Sequence, residues 1–485
     1  MCAGCTESVV TLDEYQQHDA VGLAGLVRKG EVQPIELLRL AVRRKDQVNP
    51  VLNAVSTALT DYAEKEIHVG LPDGQFQGVP FLLKDQIDLA GVPTRRASKL
   101  LADFVPTEDA IYVARLRAAG MVIFGKTNMP EMGLSVTTEP ALTGVTRNPW
   151  NLEHSPGGSS GGSAVAVAAG MCPAASATDG GGSIRIPASC CGLFGLKPSR
   201  GRVPFGRAHG EGWGGLTAHN TVTRSVRDSA ALLDILSGPA VGDPYYLDAA
   251  PGTFFRSLQM RTGKLRIGVI TKPPLETPVQ ADCLSAVDDT IKLLAGLGHE
   301  LVETRFPISG PELREATSRI VRTKVYEAIE ETVEARGTPL TKDDVEAATW
   351  VIHEAGGKTS GREYASAIET IHHIGRQMGD FMLDYDVLLS PTLAEPPIKL
   401  GAFNPQTIEA RALFDRMRQY SPFCNIYNAS GQPSMNVPLH WGAENLPIGV
   451  QFAGRFGEEV TLLKLAAQLE TARPWSQRYR WLKLD

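Results

Sequence analysis

The chain has 485 residues, a length that suggests one large domain or two of ordinary size. Hydrophobic residues make up 43% and charged residues 21%, proportions typical of globular proteins and unlike those of disordered or membrane proteins. The net charge is only -6, and lysine and arginine are dispersed along the chain, so nothing supports a nucleic-acid partner.

Seven cysteines are spread along the chain, an odd number that fits no disulfide framework and favours a reducing compartment. Cys2 and Cys5 form a C-x-x-C pair, but no second pair of ligands accompanies them, so no zinc site is predicted there. Residues 1–10 lack the basic and apolar segments of a signal peptide, and no apolar run reaches the length of a membrane span. We therefore expect a soluble, cytoplasmic protein.

A helical leader is predicted over about residues 7–66, where apolar residues recur at helical spacing. Beyond it, short apolar runs at 79–83 and 121–124 lie on either side of a helix-like stretch at 110–119. Strands that alternate with a helix are typical of an α/β sheet, so we predict a strand pair joined by a crossover helix.

Two glycine-rich runs, at 155–163 and 178–187, are the most biased segments of the chain. Flexible linkers are also rich in glycine and serine, but both runs lead into apolar surroundings, which indicates tight backbone in a packed site. Neither run has the spacing of a phosphate-binding loop. Residues 158–162 match the G-x-S-x-G elbow of α/β-hydrolases with Ser160 at the centre, but the segment before them is not strand-like.

The later part of the chain is predicted to leave the sheet and then return to it. Residues 265–270 are strand-like, and 311–384 are mainly helical and rich in charge. Strand-like runs at 387–389 and 448–452 mark a C-terminal return to the sheet within 385–485. Because no repeat or linker separates these parts, one α/β domain with a helical insertion is favoured over two domains.

Metal-dependent hydrolysis has no sequence support, because H-E-x-x-H is absent and the adjacent His372 and His373 would point in different directions on a helix. A serine nucleophile activated without histidine is the remaining chemistry. It needs a base with a pKa near neutrality, which a buried lysine provides because burial disfavours the charged form. Lys84 follows the apolar run at 79–83 and is the candidate, although lysines at strand ends also commonly reach the surface.

Taken together, these segments resemble the amidase signature family, whose hallmark is a Gly/Ser-rich motif with a Ser-cis-Ser-Lys triad. The resemblance is dense over about residues 76–235, the predicted signature core, and recurs over about 385–470. The matching segments are GVPFLLKD at 78–85, GKTNMPE at 125–131, TRNPWN at 146–151, GGSSGGS at 157–163, GGSIRIP at 181–187, GLKP at 195–198, SGQP at 430–433 and LPIGVQ at 446–451.

Carried over position by position, the resemblance implies a catalytic triad of Ser183, Ser159 and Lys84. Ser183 would attack the carbonyl carbon, while Ser159 passes protons between Ser183 and neutral Lys84. The resemblance also implies a cis peptide bond between Gly158 and Ser159. Glycines before a nucleophile leave backbone N–H groups free to point at developing charge. The oxyanion hole would thus consist of the N–H groups of Gly180, Gly181, Gly182 and Ser183.

Three further residues, Ser160, Asp179 and Arg185, match motif positions and are expected to hold the loops of the site. Gly180 departs from the family, which often has a side chain there, so the sequence predicts a more flexible oxyanion loop. The loop at 205–215 has five glycines and two aromatic residues, and is either a gate of the pocket or an ordinary surface loop.

The family implies a single α/β domain with a large mixed β-sheet covered on both faces by α-helices, and no metal or other cofactor. Its activity is hydrolysis of amide-type C–N bonds through an acyl-enzyme. Residues 136–140 and 425–431 are most similar to free-standing aryl acylamidases, nylon-oligomer hydrolases and urethanases.

These similarities predict a monomer or homodimer that acts on small or oligomeric apolar amides or carbamates, with urethanase and esterase activity as extensions. Residues 311–384 would form an outer wall of the pocket. The alternatives are an amidotransferase subunit, although the chain lacks a glutamine-recognition stretch, and a catalytically silent binding protein.

Overall fold

The computed structural model describes residues 10–206, 210–247, 252–403, 409–442 and 444–481. These residues form one mixed sheet of 11 strands. The strands are β1 (Val55–Ala58), β2 (Pro80–Lys84), β3 (Val122–Thr127), β4 (Ala174–Asp179), β5 (Phe194–Lys197), β6 (Ala218–Thr223), β7 (Arg266–Val269), β8 (Glu300–Glu303), β9 (Val387–Pro391), β10 (Ser434–Trp441) and β11 (Pro447–Gly454).

The strand order across the sheet is β1-β3-β2-β4-β6-β5-β10-β11-β9-β7-β8. Strand β2 is parallel to β3 and β4, and β7 is parallel to β8 and β9. The remaining neighbours are antiparallel. The prediction of a large mixed sheet in a single α/β domain is therefore confirmed.

Both faces of the central sheet are covered. Every residue of β2, β3, β4, β9 and β11 is buried. Since successive side chains of a strand point to opposite faces, continuous burial means that packed groups lie on each face. This explains why several of these strands carry continuous apolar runs rather than an alternation of apolar and polar residues.

Helices supply this cover. In the described part of the chain they are α1 (Leu12–Gln17), α2 (Ala20–Arg28), α3 (Pro34–Leu52), α4 (Thr60–Val69), α5 (Ile111–Ala118), α6 (Gly161–Ala168), α7 (Arg185–Cys191), α8 (Val226–Leu236), α9 (Thr253–Ser257), α10 (Ala281–Gly296), α11 (Gly310–Arg336), α12 (Ala347–Gly356), α13 (Gly361–Phe381), α14 (Ala410–Tyr420), α15 (Asn425–Ser430) and α16 (Glu459–Ala472). Within the described ranges, no helix combines the length and the apolar character that crossing a bilayer requires.

The segment predicted to be a helical leader contains α1 to α4 but also β1, which the apolar spacing does not reveal. Asn49 near the end of α3 causes this turn into the sheet. Its Oδ1 accepts hydrogen bonds from the N–H groups of Ala54 and Val55, and its Nδ2 donates to the Val55 carbonyl. Asn53, the C-cap of α3, adopts the left-handed conformation that asparagine tolerates. The chain then pairs as β1 with β3.

The helical insertion consists of α11, α12 and α13. Helix α11 begins after the N-cap Ser309, whose side chain accepts the Glu312 N–H, and ends at Gly337 in the left-handed conformation. It packs against α12, α13 and α15. Because α15 follows directly on the strand-return segment of the chain, this packing places the insertion beside the carboxyl end of β4.

The site is positioned by β2 and β4. These strands are parallel neighbours, so their carboxyl ends meet at the same edge of the sheet. Lys84 is the last residue of β2 and Asp179 is the last residue of β4. Ligands of α/β sheets bind at this edge.

Candidate active site

Lys84 is completely buried at the end of β2. Its Nζ donates hydrogen bonds to Ser159 Oγ at 2.7 Å and to Thr178 Oγ1 at 2.8 Å. Thr178 belongs to β4, so the parallel pairing of the two strands creates this contact. The lysine therefore does not extend to the surface, which was the alternative left open by the sequence.

The surroundings of Lys84 favour a neutral amine. Burial lowers the pKa of Lys84 from 10.5 to about 7, and the negative charge of Asp179 only partly opposes this shift. The neighbouring His219 is neutral in the same range, because burial, followed by the charge of Lys84, lowers its pKa to about 4. A substantial fraction of Lys84 is thus able to accept a proton near neutral pH.

Ser159 lies in the glycine-rich run just before α6 and is buried. The peptide bond between Gly158 and Ser159 is cis, the geometry predicted for it. Gly158 has no space for a side chain, because a Cβ there would lie 2.5 Å from the Thr137 carbonyl oxygen. The glycine at this position serves close backbone approach in a packed site, which excludes the linker interpretation.

Ser183 lies between β4 and α7, is half-buried and lines the largest pocket of the described structure. Among the described residues, no hydrogen bond joins Ser183 to Ser159. The structure therefore brings two of the three predicted triad residues into direct contact and places the third at the pocket that these two adjoin, since Gly133, which lines the pocket, approaches Ser159 Oγ.

The backbone before Ser183 offers hydrogen-bond donors to the pocket. The Gly182 N–H is already engaged, because it donates to Asp179 Oδ1 at 2.8 Å. The N–H groups of Gly180, Gly181 and Ser183 have no acceptor within the described ranges. Of the four predicted oxyanion donors, these three stay available, and Gly182 instead holds the loop to Asp179.

A buried ion pair fixes this loop from below. Arg185 Nε and Nη2 donate to the two carboxylate oxygens of Asp179 at 2.9 and 2.8 Å, and both side chains are fully buried. Burial alone would raise the pKa of Asp179, but the charge and hydrogen bonds of Arg185 outweigh it and lower the pKa well below the ordinary range. Asp179 therefore stays ionised and holds the backbone through the N–H groups of Gly182 and Ile184.

Other groups complete the network around this pair. Arg185 Nη1 donates to the Cys424 carbonyl and to Gln451 Oε1, while Ser160 Oγ accepts the Thr178 N–H at 3.3 Å. Asn428 of α15 binds both members of the pair, since Nδ2 donates to Asp179 Oδ1 and Oδ1 accepts from Arg185 Nη2.

The sequence analysis missed Asn428, Thr178 and Gln86. Thr178 donates to Gln86 Oε1 at 3.1 Å and accepts from Lys84, so it connects two strands that are 92 residues apart. Thr178 and Asn428 both lie in quoted motif segments, and Gln86 follows one directly. Their place in these segments was the available signal, but polar residues of this kind are common in loops and caps.

The pocket in front of Ser183 has a volume of about 620 Å³. Its lining is largely apolar, with Leu134, Ile186 and Trp213 near the glycine-rich loops and Val321 and Phe414 on helices α11 and α14. Charged side chains, including exposed arginines of α11 and α14, lie at its opening. Such a site accommodates an apolar molecule while keeping the reacting carbonyl near backbone donors.

Trp213 occupies the space that a side chain at position 180 would need. A Cβ at Gly180 would lie 2.7 Å from Cε3 and 2.8 Å from Cζ3 of Trp213. The indole thus supports the oxyanion loop in place of the missing side chain, which corrects the expectation that glycine makes this loop flexible. The described part of the 205–215 loop is packed and forms pocket wall, while residues 207–209 lie outside the described ranges.

Within the described residues, no group of three or more His, Cys, Asp or Glu side chains is arranged to hold a metal ion. Cys2 and Cys5 lie outside those ranges, and the five described cysteines are free and buried. Burial raises the pKa of Cys190, which follows Ser183 in α7, to about 12. Its thiol is therefore held in the unreactive protonated form.

Comparison with known proteins identifies the class. The family model for amidase matches residues 36–463. The chain is 38% identical over 478 residues to the 6-aminohexanoate-cyclic-dimer hydrolase of Paenarthrobacter ureafaciens, covering 95% of this chain and 96% of that relative. A solved structure of 6-aminohexanoate cyclic dimer hydrolase complexed with substrate superposes with a TM-score of 0.89 at 35% identity, over 97% of this chain and 100% of the other.

A bacterial aryl acylamidase structure of the amidase signature family is also similar, with a TM-score of 0.86, 28% identity, and coverage of 96% of this chain and 98% of that one. Fold, site and relatives together define a hydrolase of amide C–N bonds. The chain belongs to the amidase family.

Proposed function

We propose that this amidase works through an acyl-enzyme on Ser183, with Ser159 and Lys84 as the groups that move its proton. The observation that carries the proposal is the 2.7 Å contact between the buried Lys84 Nζ and Ser159 Oγ, next to the pocket that Ser183 lines. Lys84 is the base, because its lowered pKa makes the amine neutral near pH 7.

In this mechanism Ser183 Oγ bonds to the carbonyl carbon while its proton passes to Ser159 Oγ and the proton of Ser159 passes to Lys84 Nζ. The carbonyl oxygen becomes an oxyanion within reach of the N–H groups of Gly180, Gly181 and Ser183. The C–N bond then breaks as Lys84 returns the proton through Ser159 to the leaving nitrogen. Water repeats the sequence on the ester and releases the acid.

We propose small or oligomeric, largely apolar amides and anilides as substrates. The apolar lining of the pocket supports this range, as does similarity to relatives whose names give a cyclic dimer of 6-aminohexanoate and aryl amides as their substrates. Carbamates are included because their carbonyl carbon also carries a nitrogen leaving group. The amidotransferase alternative is not favoured, since free-standing hydrolases match nearly the whole chain. A cytoplasmic location fits the free, buried cysteines.

Steady-state kinetics on a matched panel test the proposal. An anilide, an aliphatic amide, an ester and an aryl carbamate that share one acyl group are compared for wild type and Ser183→Ala. We expect the anilide and the aliphatic amide to be hydrolysed by the wild type, and the Ser183→Ala variant to lose all of these activities. Amide hydrolysis by Ser183→Ala at the wild-type rate would refute the nucleophile.

A further inference from the structure

Gln86 lies two residues beyond Lys84, and its side chain reaches the same hydroxyl group that Lys84 contacts. Thr178 Oγ1 donates to Gln86 Oε1 at 3.1 Å and accepts from Lys84 Nζ at 2.8 Å. A Cβ at Gly133 would lie 3.6 Å from Gln86 Oε1 and 3.4 Å from Ser159 Oγ, so the amide oxygen and Ser159 face the same small residue. Gln86 is thus close to the catalytic contact without touching Lys84.

The direction of the Thr178 hydroxyl decides whether Lys84 can act as a base. A neutral amine has two N–H donors and a single lone pair, and a hydroxyl has one proton. If the Thr178 proton pointed at Lys84 Nζ, it would occupy the lone pair that has to accept the proton of Ser159. If it points at Gln86, Thr178 accepts an N–H of Lys84 and the lone pair stays free.

We propose that Gln86 is a positioning residue: by accepting the Thr178 proton, its side-chain oxygen keeps the lone pair of neutral Lys84 directed at Ser159. The inference rests on the proposed function, because it matters only if Lys84 is the base. No proton leaves Thr178 or Gln86 in the reaction. The proton moves from Ser159 Oγ to Lys84 Nζ, where an O–H bond breaks and an N–H bond forms.

The charges around Lys84 make this role separable by experiment. Asp179 of β4 is held ionised by Arg185 of α7, and His219 of β6 is neutral above about pH 4. On the strand of Lys84 itself, Asp85 is buried and paired with Lys126 at 3.7 Å. None of these groups changes when Gln86 is replaced, so a new charge at position 86 acts on Lys84 against a constant background.

The test uses two substitutions with opposite expectations. Gln86→Met removes the acceptor and keeps the side-chain length, so the Thr178 hydroxyl is free to turn towards Lys84. Gln86→Glu keeps an acceptor, because an ionised carboxylate cannot donate. It also adds a negative charge that raises the pKa of Lys84. Gln77→Met, at another half-buried glutamine away from the site, is the matched control.

The readout is the rate at which a fluorophosphonate reacts with Ser183, measured from pH 5 to 10, which needs no knowledge of the natural substrate. We expect Gln86→Met to slow labelling about tenfold, the worth of one hydrogen bond, and Gln77→Met to leave it unchanged. We expect Gln86→Glu to keep most of the maximum rate while its pH limb moves up by about 1 unit, in line with a nearby opposite charge.

An unchanged rate and pH limb in folded Gln86→Met would overturn the inference. So would a Gln86→Glu variant as slow as Gln86→Met with an unmoved limb, since that pattern indicates packing alone. If Gln86→Met fails to fold by circular dichroism, Gln86→Glu decides by itself. Lys84→Ala is run in parallel: full labelling there refutes the proposed base, whereas its loss beside an unaffected Gln86 series refutes only the role of Gln86.

Discussion

The glycine-rich loops around β2 and β4 and the helical wall built by α11, α12 and α14 face each other across the pocket, and they differ in how they are held. Around the loops, Lys84, Ser159, Asp179 and Arg185 are all buried, and hydrogen bonds join them to partners in other elements. The wall presents exposed arginines and apolar side chains at the opening. The first region sets the reaction, and the second sets which molecules reach it.

The largest difference is expected for the base. Lys84→Ala should lower the acylation rate at least about a hundredfold, the lower end of what general-base catalysis contributes. Lys84→Arg should fail equally because guanidinium stays protonated. Stopped-flow or single-turnover kinetics measure the rate, and Lys65→Ala at an exposed position of α4 is the control. A Lys84→Ala enzyme at full speed would mean that another group is the base.

The wild-type pH profile belongs to the same prediction. The pKa of Lys84 is lowered to about 7 in the folded protein, and the neutral form is the active one. Acylation should therefore be slow below pH 7 and rise to a plateau above it, with an apparent pKa that reflects the coupled Lys84 and Ser159 pair. In Lys84→Ala this limb should be absent.

The buried ion pair should separate the two regions in stability. Arg185→Met leaves Asp179 ionised and unpaired in the core, which should cost about 3–5 kcal/mol of the free energy of unfolding. Arg319→Met on α11 breaks a partly exposed pair with Glu315 and should cost at most about 1 kcal/mol. Urea denaturation followed by tryptophan fluorescence compares them. Equal losses would contradict the view that only the loop region depends on its ion pair.

Gly180 and Trp213 test how the loop is supported. Gly180→Ala places a Cβ 2.7 Å from the indole, and overpacking of this kind costs about 1–3 kcal/mol. Displacement of the oxyanion donors should lower kcat about tenfold, and adding Trp213→Leu should recover part of it. Gly25→Ala in α2, where a Cβ meets no atom within 4 Å, is the control and should leave kcat unchanged. An additive double variant would show that the two residues act separately.

How much the sequence predicts follows the same division. The apolar runs of β2, β3, β7, β9 and β11 were recognised because these strands are buried on both faces, and the triad positions were recognised because close-packed glycine backbone leaves a rigid motif. Strand β4, with the sequence AASATD, was not recognised because small and polar residues mask its burial. Strand β1 was hidden in a helical leader because its turn depends on Asn49.

Contacts that depend on tertiary structure could not be predicted. Thr178 meets Lys84 only because β2 and β4 are parallel neighbours, and Asn428 reaches the Asp179–Arg185 pair from 243 residues further on than Arg185. The support of Gly180 by Trp213 is of the same kind, since the sequence shows a glycine without showing what fills the space beside it. The substrate range likewise depends on how α11, α12 and α14 assemble.

The smallest effects are expected from the wall. Phe414→Ala enlarges the apolar lining without touching the buried network, so KM for bulky anilides should rise about threefold to tenfold while kcat stays within about twofold, as loss of uniform binding predicts. Arg411→Gln at the exposed end of α14 should change less than this. Steady-state kinetics on two anilides of different size give the comparison. A collapse of kcat in Phe414→Ala would place the wall in the chemistry itself.

The central claim is that Ser183 becomes covalently modified when the enzyme acts. Incubation of wild type, Ser183→Ala and Ser160→Ala with a fluorophosphonate, followed by peptide mass spectrometry, tests it directly. We predict one adduct on the peptide that contains Ser183, its loss in Ser183→Ala, and its retention in Ser160→Ala. An adduct on Ser160, or labelling of Ser183→Ala at the wild-type level, would contradict the account.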